Sequence, residues 1–141
     1  MLFVFTVSFG LSYTSFSYEN LTTTSLQSPN FEATITFTLT NTGSEVGSEA
    51  TQVYISPPTT SALTHAPIQL KAFKKIHNLE PGKAAEVVVS LDKYAVSYWD
   101  ERNDVWIAEK GEYGVFVGAS SADLKLTGSF KLDKTFTWVG L

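Results

Sequence analysis

The chain has 141 residues, of which 43% are hydrophobic and 13% aromatic, and a formal net charge of −4. A chain of this size can bury a substantial core, so one compact domain is expected. No lysine or arginine precedes Lys71. Nucleic acids and anionic membranes require clustered positive charge, so neither is an expected partner. The absence of cysteine excludes disulfides, thiolate metal sites and cysteine nucleophiles.

The first 14 residues predict an extended arm in front of the folded domain. Large apolar residues alternate with mostly smaller or polar ones from Phe3 to Tyr13, and a period of two is typical of extended chain. A signal peptide is the alternative, but the segment lacks the positively charged start of such peptides. No apolar run approaches the roughly 20 residues that span a bilayer. We therefore divide the chain into an arm, residues 1–14, and a domain, residues 15–141.

The next part of the chain predicts two strands. Every second residue from Phe31 to Leu39 is apolar, and threonines fill most positions between them, as in a half-buried antiparallel strand. Asn41 and Gly43 then supply turn chemistry. The β-rich run from Thr51 to Ser56 ends at the proline pair 57–58.

The second half predicts a tight turn at Pro81 and Gly82, followed by a strand from Ala85 to Leu91. Asp92 is suited to cap a single helical turn. The segments "DVWIA", "EYGVFVGA" and "LKLTGSFKL" supply three more short strands. Short strands at near-regular spacing without helical periodicity predict an all-β, immunoglobulin-like sandwich of about seven strands, preceded by the extended N-terminal arm.

The two histidines, His65 and His77, have no spacing to carboxylates that is typical of a triad or a metal site. We expect both to be surface residues, and we expect no metal and no cofactor. No phosphate-binding glycine loop and no nucleophile elbow is present in the sequence.

Asp100, Glu101 and Asp104 cluster between two tryptophans and could suggest a glycosidase pair, whose carboxyl groups stand roughly 5 to 9 Å apart. The same residues lie where a hairpin turn is expected. A solvated turn does not raise the pKa of a carboxyl group as a general acid requires, so we favour the turn.

Aromatic residues provide the candidate contact sites. Tyr98, Trp99 and Trp138 are candidates for contact with carbohydrate or with another domain, and the sequence leaves those two roles open. Trp106 and Phe116 are predicted to be core residues, because large aromatics fill the space between the sheets of a sandwich.

A short motif at Asn20, followed by Leu21 and Thr22, matches the acceptor pattern for N-glycosylation. The pattern is frequent by chance, and it matters only if the chain is secreted. Tyr13, in the arm, is interpreted as a packing residue rather than a proton donor.

Six segments of the chain are informative when their content and order are taken together. From the N-terminal side they are "FGLSYTSFSYENL", "TNTGSEVGSEATQVYIS", "LKAFKKIHNLEPGKAAEVVVSL", "SYWDE", "WIAEKGEYGVFVGASSADLKLTGSF" and "FTWVGL". Their content and order resemble the C-terminal fibronectin type III-like domain of glycoside hydrolase family three, the β-glucosidases and β-xylosidases. The last segment resembles the end of a yeast or fungal enzyme. The resemblance covers nearly the whole chain.

The resemblance implies that this chain is not itself an enzyme. In the family, the nucleophilic aspartate lies in an N-terminal barrel and the acid/base residue commonly in the following α/β domain, both before the Gly-Leu-Ser-Tyr-Thr segment. The implied partners are the catalytic domains of a parent β-glucosidase, which this domain packs on and stabilises, and polymeric substrate is a further candidate. The arm is the implied junction between domains.

Three points stay open at the level of sequence. Where the family has Phe-Pro-Phe-Gly before that segment, this chain has Phe5, Thr6, Val7 and Ser8, which changes the backbone freedom of the arm. The implied location is extracellular, as part of the parent enzyme, although no convincing signal peptide is seen. The alternative function is a stand-alone module that binds polysaccharide or lignin through exposed aromatics.

Overall fold

The computed structural model describes residues 14–24, 32–58 and 68–139. Nearly all of the predicted arm, with Tyr13, lies outside these ranges, and so do Phe31 and His65. The described residues form ten strands and one helical turn. They are β1 (Phe16–Thr23), β2 (Ala33–Asn41), β3 (Gly47–Ser56), β4 (Gln69–Leu79), β5 (Ala84–Leu91), α1 (Lys93–Val96), β6 (Ser97–Asp100), β7 (Val105–Ala108), β8 (Gly111–Ser120), β9 (Asp123–Leu132) and β10 (Phe136–Trp138).

Seven of these strands form two antiparallel sheets that pack face to face. The order is β1–β2–β5 in the three-stranded sheet and β4–β3–β8–β9 in the four-stranded sheet. The sheets meet at their edges, where β1 lies near β9 and β4 lies near β5. The predicted immunoglobulin-like sandwich is therefore confirmed. The remaining strands β6, β7 and β10 form a third, small sheet that the sequence did not predict.

The core lies between the two large sheets, because alternate residues of each strand point inward. The predicted alternation in β2 and β5 is confirmed: the inward apolar positions are buried, except for the half-buried Ala85, and the positions between them are half-buried or exposed. The main core residues are Ala33, Ile35, Phe37, Leu39, Val87, Val89 and Leu91 from one sheet and Val53, Ile55, Tyr113, Val115, Val117, Phe130 and Leu132 from the other.

Asn41, the last residue of β2, is fully buried and links the two sheets. Its Nδ2 donates to the carbonyl oxygens of Glu45 and Leu79, both at 2.8 Å. Its Oδ1 accepts from the backbone N–H of Gly43 and the hydroxyl of Thr14, both at 2.9 Å. Leu79 ends β4 in the opposite sheet, so this one amide joins both sheets with all its polar atoms bonded. The turn role predicted for Asn41 is thus part of a larger one.

Tyr113 holds the start of β8 in place through a side-chain hydrogen bond to the backbone. Its hydroxyl donates to the carbonyl oxygen of Glu109, four residues upstream, at 2.6 Å. This is the tyrosine corner of immunoglobulin-like sandwiches. The ring stacks on Phe130 with 5.3 Å between centroids, and burial raises the pKa of the hydroxyl above its usual value.

The predicted turn and helix cap are also confirmed. Pro81 and Gly82 form the turn between β4 and β5, and Gly82 has φ of 78°, which favours glycine. Asp92 caps α1 by accepting a hydrogen bond from the N–H of Tyr94 at 3.0 Å. Strand β4 itself was not predicted from its residues, because it is an edge strand with an irregular register and its burial does not alternate cleanly.

Candidate functional site

The small sheet is an addition to the seven-stranded sandwich. Helical turn α1 and strands β6 and β7 lie between β5 and β8 in the chain, and β10 follows β9 and pairs with β7. One end of the small sheet joins the core, since Ala108 is fully buried and Phe136 packs against the core residues. The aromatic candidates occupy the rest of it.

Three tryptophans stand side by side across this sheet. Trp106 in β7 is paired with Trp99 in β6 on one side and with Trp138 in β10 on the other, so all three lie on one face. The rings of Trp106 and Trp138 stack, with centroids 5.3 Å apart and 11° between planes. Trp99 meets Trp106 edge-on, at 5.5 Å and 68°. We call these three residues the tryptophan row.

Helical turn α1 packs against the tryptophan row. The ring of Tyr94 meets Trp138 edge-on at 4.5 Å and Trp106 edge-on at 5.8 Å. The ammonium of Lys93 lies 4.2 Å from the centre of the Trp138 ring, a cation–π contact. The indole N–H of Trp138 donates to Ser97 Oγ at 3.1 Å. These contacts use much of the aromatic surface of Trp106 and Trp138 within the protein itself.

The three predicted contact residues are therefore not equivalent. Trp99 is 43% exposed, whereas Trp138 is half-buried beside Tyr94. Tyr98 is paired with Ile107, so alternation directs it to the opposite face of the sheet. Burial, with smaller effects from nearby carboxylates, raises the pKa of the Tyr98 hydroxyl. The tryptophan row thus presents one accessible indole rather than a flat platform of three.

The predictions for Trp106 and Phe116 are wrong. Both are half-buried, and neither belongs to the buried core. Trp106 is the centre of the tryptophan row. Phe116 is paired with Tyr54, and both point to the outside of the four-stranded sheet. Alternation correctly gives the face of a strand, but it does not say which face is covered.

The carboxylates between the tryptophans form a hairpin turn, as predicted. Residues 101–104 connect β6 to β7, and all four are exposed. Asp100 Oδ2 accepts from the side-chain amide of Asn103 at 2.8 Å, and Oδ1 accepts from the N–H of Arg102 at 3.1 Å. These bonds, that from Asn103 first, lower the pKa of Asp100. A lowered pKa is the opposite of what a general acid needs.

The structure also contains a polar pair that the sequence did not predict. The hydroxyl of Tyr18 in β1 donates to Glu49 Oε2 in β3 at 2.9 Å, which links the two sheets. Burial raises the pKa of Glu49, although the bond from Tyr18 opposes the shift. Asp123, which forms an ion pair with Lys125 at 3.0 Å, is close enough to raise it further. The partners are 31 residues apart in the chain, and no local spacing signals them.

The two outer faces of the sandwich differ in character. The outside of the three-stranded sheet carries threonines from β2, and we call Thr34, Thr36, Thr38 and Thr40 the threonine face. The outside of the four-stranded sheet carries large apolar residues. We call Tyr54, Leu70, Phe73 and Phe116 the apolar face. Phe73 is 71% exposed and Leu70 is 49% exposed, so this face is open in the isolated chain.

Within the described ranges, no group of three or more histidine, cysteine, aspartate or glutamate side chains is placed to hold a metal ion. His77 lies exposed in β4. No helix among these residues has the length and hydropathy needed to cross a membrane.

A seven-stranded sandwich with a tyrosine corner has the architecture of an immunoglobulin-like domain. A family model, "Fibronectin type III-like domain", matches residues 49–121, just over half of the chain. The chain belongs to this family.

Longer relatives extend the match. The chain is 36% identical over 133 residues to "Probable beta-glucosidase K" of Emericella nidulans, an alignment that covers 94% of this chain and 15% of that protein. Two solved structures are similar. The β-glucosidase of Kluyveromyces marxianus in complex with glucose has a TM-score of 0.79 and 37% identity, covering 94% of this chain and 16% of that one. The GH3 β-glucosidase of Bifidobacterium adolescentis has a TM-score of 0.78 and 37% identity, covering 89% and 18%.

The resemblance to the sandwich domain of family three β-glucosidases is thereby confirmed. The chain spans 15–17% of the length of the curated relatives it matches. It corresponds to one domain of those proteins.

Proposed function

We propose that this chain is a non-catalytic domain that packs on the catalytic domains of a family three β-glucosidase and stabilises them. The coverage of the relatives carries the proposal. Alignments that span 94–98% of this chain span only 15–17% of the relatives, whose names describe a β-glucosidase. More than four fifths of each relative is therefore available for the domains that carry out hydrolysis.

The chemistry of the described residues supports a non-catalytic role. Hydrolysis of a glycosidic bond uses two carboxyl groups on either side of it, one of them with a raised pKa. Asp100 has a lowered pKa and is held in an exposed turn. Glu49 has a raised pKa, but its carboxylate is bonded to Tyr18 between the sheets, and Asp123, the carboxylate that helps to raise this pKa, is paired with Lys125.

We place the contact with the catalytic domains on the apolar face. Contiguous apolar surface that stays open in an isolated domain is typical of an interaction site. Covering Leu70 and Phe73, which are 49% and 71% exposed, removes apolar area from water at about 25 cal/mol per Å² and contributes part of the about 1.5–3 kcal/mol that full burial of such a side chain provides. The threonine face also carries Val88, which is 41% exposed and paired with Thr36, but it offers less exposed apolar surface than Leu70 and Phe73 do. In this proposal the domain comprises residues 15–141, and residues 1–14 are the junction.

The test is a hybrid enzyme. The segment of the Kluyveromyces marxianus β-glucosidase that this chain matches is replaced by this chain. We expect the hybrid to hydrolyse an aryl β-glucoside and to unfold in one cooperative transition, while the isolated chain shows no hydrolysis. The control hybrid carries an unrelated immunoglobulin-like sandwich of similar length.

Two results would contradict the proposal. One is hydrolysis by the isolated chain that survives in the Asp100→Asn and Glu49→Gln variants, since it would show chemistry elsewhere in the chain. The other is equal activity and equal melting temperature in the control hybrid, since any sandwich would then serve.

A second candidate is a module that binds polysaccharide or lignin, and the exposure of Trp99 favours it. An indole that is 43% exposed can stack on a sugar ring, with Tyr98 and Trp138 as the other predicted contacts. We expect Trp99→Ala to weaken retention on β-glucan or lignin, with Phe73→Ala as the matched control. Retention no greater than that of an unrelated sandwich removes this candidate.

Under either function we place the protein outside the cell, with polymeric glucosides.

A further inference from the structure

Asn20 occupies an unusual place in the fold. It lies in β1, at an edge of the three-stranded sheet, where the register with β2 shifts between Glu19 and Thr22. Its φ of 60° is in the left-handed region, which asparagine tolerates better than most residues. Such a bulge takes residues out of the ladder and redirects their side chains.

Leu21 holds the bulge in place. It is half-buried and packs against the core. A Cβ on Gly128 of β9 would lie 2.8 Å from Leu21 Cδ2, so Leu21 fills the space that a side chain at position 128 would need. Because Leu21 is anchored inward between β1 and β9, its neighbours Asn20 and Thr22 stay at the surface, and both are exposed.

The side chain of Asn20 has no competing role. Within residues 14–24, 32–58 and 68–139, no hydrogen bond to its amide is formed. Its surroundings are polar, since Glu19 is paired with Thr38 and Thr22 with Thr36, both on the threonine face. A hydrated group attached here would stay in water and displace no packed side chain.

We propose that Asn20 carries an N-linked glycan when the chain passes through a secretory compartment. Asn20, Leu21 and Thr22 form the one Asn-x-Ser/Thr motif of the sequence, and the remaining asparagines, at 30, 41, 78 and 103, lack the hydroxyl residue two positions on. The co-reactant is an oligosaccharide linked to a lipid diphosphate. A bond forms between Asn20 Nδ2 and the anomeric carbon, the bond from that carbon to the diphosphate oxygen breaks, and the amide loses one proton.

The glycan would also act on the fold. Strand β1 pairs with β2 on one side, and its other edge packs near β9, where the hydroxyl of Thr23 donates to the carbonyl oxygen of Ser129. A glycan on Asn20, beside residues paired with Thr36 and Thr38, would keep this end of the threonine face in solvent. The proposal does not depend on the packing function.

The test is expression of the full chain behind a cleavable secretion leader in yeast. Both the lumenal and the secreted fractions are collected, and peptides are analysed by mass spectrometry before and after endoglycosidase treatment. We expect sugar on the peptide that contains Asn20, loss of it in Asn20→Gln and Thr22→Ala, and retention in Thr22→Ser. The peptide with Asn78 is an internal control. Asn78 is exposed, has φ of 52° and precedes a leucine, but Glu80 replaces the hydroxyl residue.

Two outcomes would overturn the proposal. The first is an unmodified Asn20 peptide in both fractions. The second is sugar that remains in Asn20→Gln.

Discussion

The two outer faces of this sandwich are built on the same inner pattern, but one carries mainly threonines and the other carries the more exposed apolar side chains. Strands β2 and β3 both bury alternate residues in one core, among them Phe37 and Val53. Outside, β2 carries half-buried threonines, whereas the four-stranded sheet exposes Leu70 and Phe73 of β4, and Tyr54 of β3, paired with Leu70, is itself buried. The inner positions account for the fold, and the outer positions distinguish the face suited to solvent from the face suited to a partner.

Both outer faces are supported by one core that the two sheets share. Substitution of Asn41, which joins the sheets, is the strongest test of this. Asn41→Ala removes four side-chain hydrogen bonds and leaves partly buried backbone groups of Gly43, Glu45 and Leu79 without these partners. We expect the free energy of unfolding to fall by about 3 kcal/mol. Urea denaturation of the isolated chain measures this. Asn78→Ala, at an exposed site, is the control, and a loss no larger than that of the control would show that the sheets are joined in another way.

The next largest effect concerns the start of β8, the strand that carries Phe116. Tyr113→Phe keeps the ring stacked on Phe130 and removes the bonds from the hydroxyl to the carbonyl oxygens of Glu109, at 2.6 Å, and Val96, at 3.5 Å. We expect a loss of about 1–2 kcal/mol, because a buried carbonyl oxygen loses its donor. Thermal unfolding measures it, with Tyr94→Phe as the control because the Tyr94 side chain is 40% exposed. Equal melting temperatures of the two variants would show that the tyrosine corner does not stabilise the fold.

A smaller effect concerns the link between the sheets at Tyr18 and Glu49. Burial raises the folded-state pKa of Glu49 above its usual value near 4.5, so the folded protein binds the proton more tightly than the unfolded chain does. Stability therefore falls as pH rises from 4.5 through the folded-state pKa. We expect Glu49→Gln to be more stable than the native protein at pH 7, with the difference shrinking below pH 4.5.

Tyr18→Phe sharpens this measurement. Its hydroxyl lowers the pKa of Glu49, so its removal should raise that pKa further and steepen the loss of stability with pH. Denaturation curves collected from pH 4 to pH 8 give the slopes. A native protein that gains stability across this range, relative to Glu49→Gln, would contradict the raised pKa.

The smallest effect is expected at the surface itself. Phe73→Ser removes a side chain that is 71% exposed, so the isolated chain should change in stability by less than about 0.5 kcal/mol. Thr38→Lys, on the threonine face, should be equally mild. Calorimetry of the isolated variants tests this, and a large loss in Phe73→Ser would show that the apolar face belongs to the fold of this chain.

Much of the fold could be predicted because alternation is a local property. It gives β2 and β5 directly, and turn residues such as Gly82 mark where strands end. It fails for β4, an irregular edge strand, and for the three-residue strand β10, which is too short to show a period. The position of Trp106 could not be predicted, since its half-buried state depends on β10 and α1 packing beside it.

Among the candidate sites, too, those formed by neighbouring residues could be predicted and those formed by distant residues could not. The turn at Asp100 follows from residues next to it in the chain, and it was predicted. The pair formed by Tyr18 and Glu49 depends on two sheets meeting, and the sequence holds no local sign of it. Which of Tyr98, Trp99 and Trp138 contacts a ligand or a domain stays a prediction.

The central claim is that the apolar face, and not the threonine face, meets the catalytic domains. The most direct measurement is the melting temperature of the hybrid β-glucosidase with two matched pairs of substitutions, Leu70→Lys with Phe73→Lys and Thr36→Lys with Thr38→Lys. We predict that the first pair lowers the melting temperature and the activity of the hybrid and that the second leaves both unchanged. Equal effects of the two pairs, or a larger effect of the threonine pair, would contradict the claim.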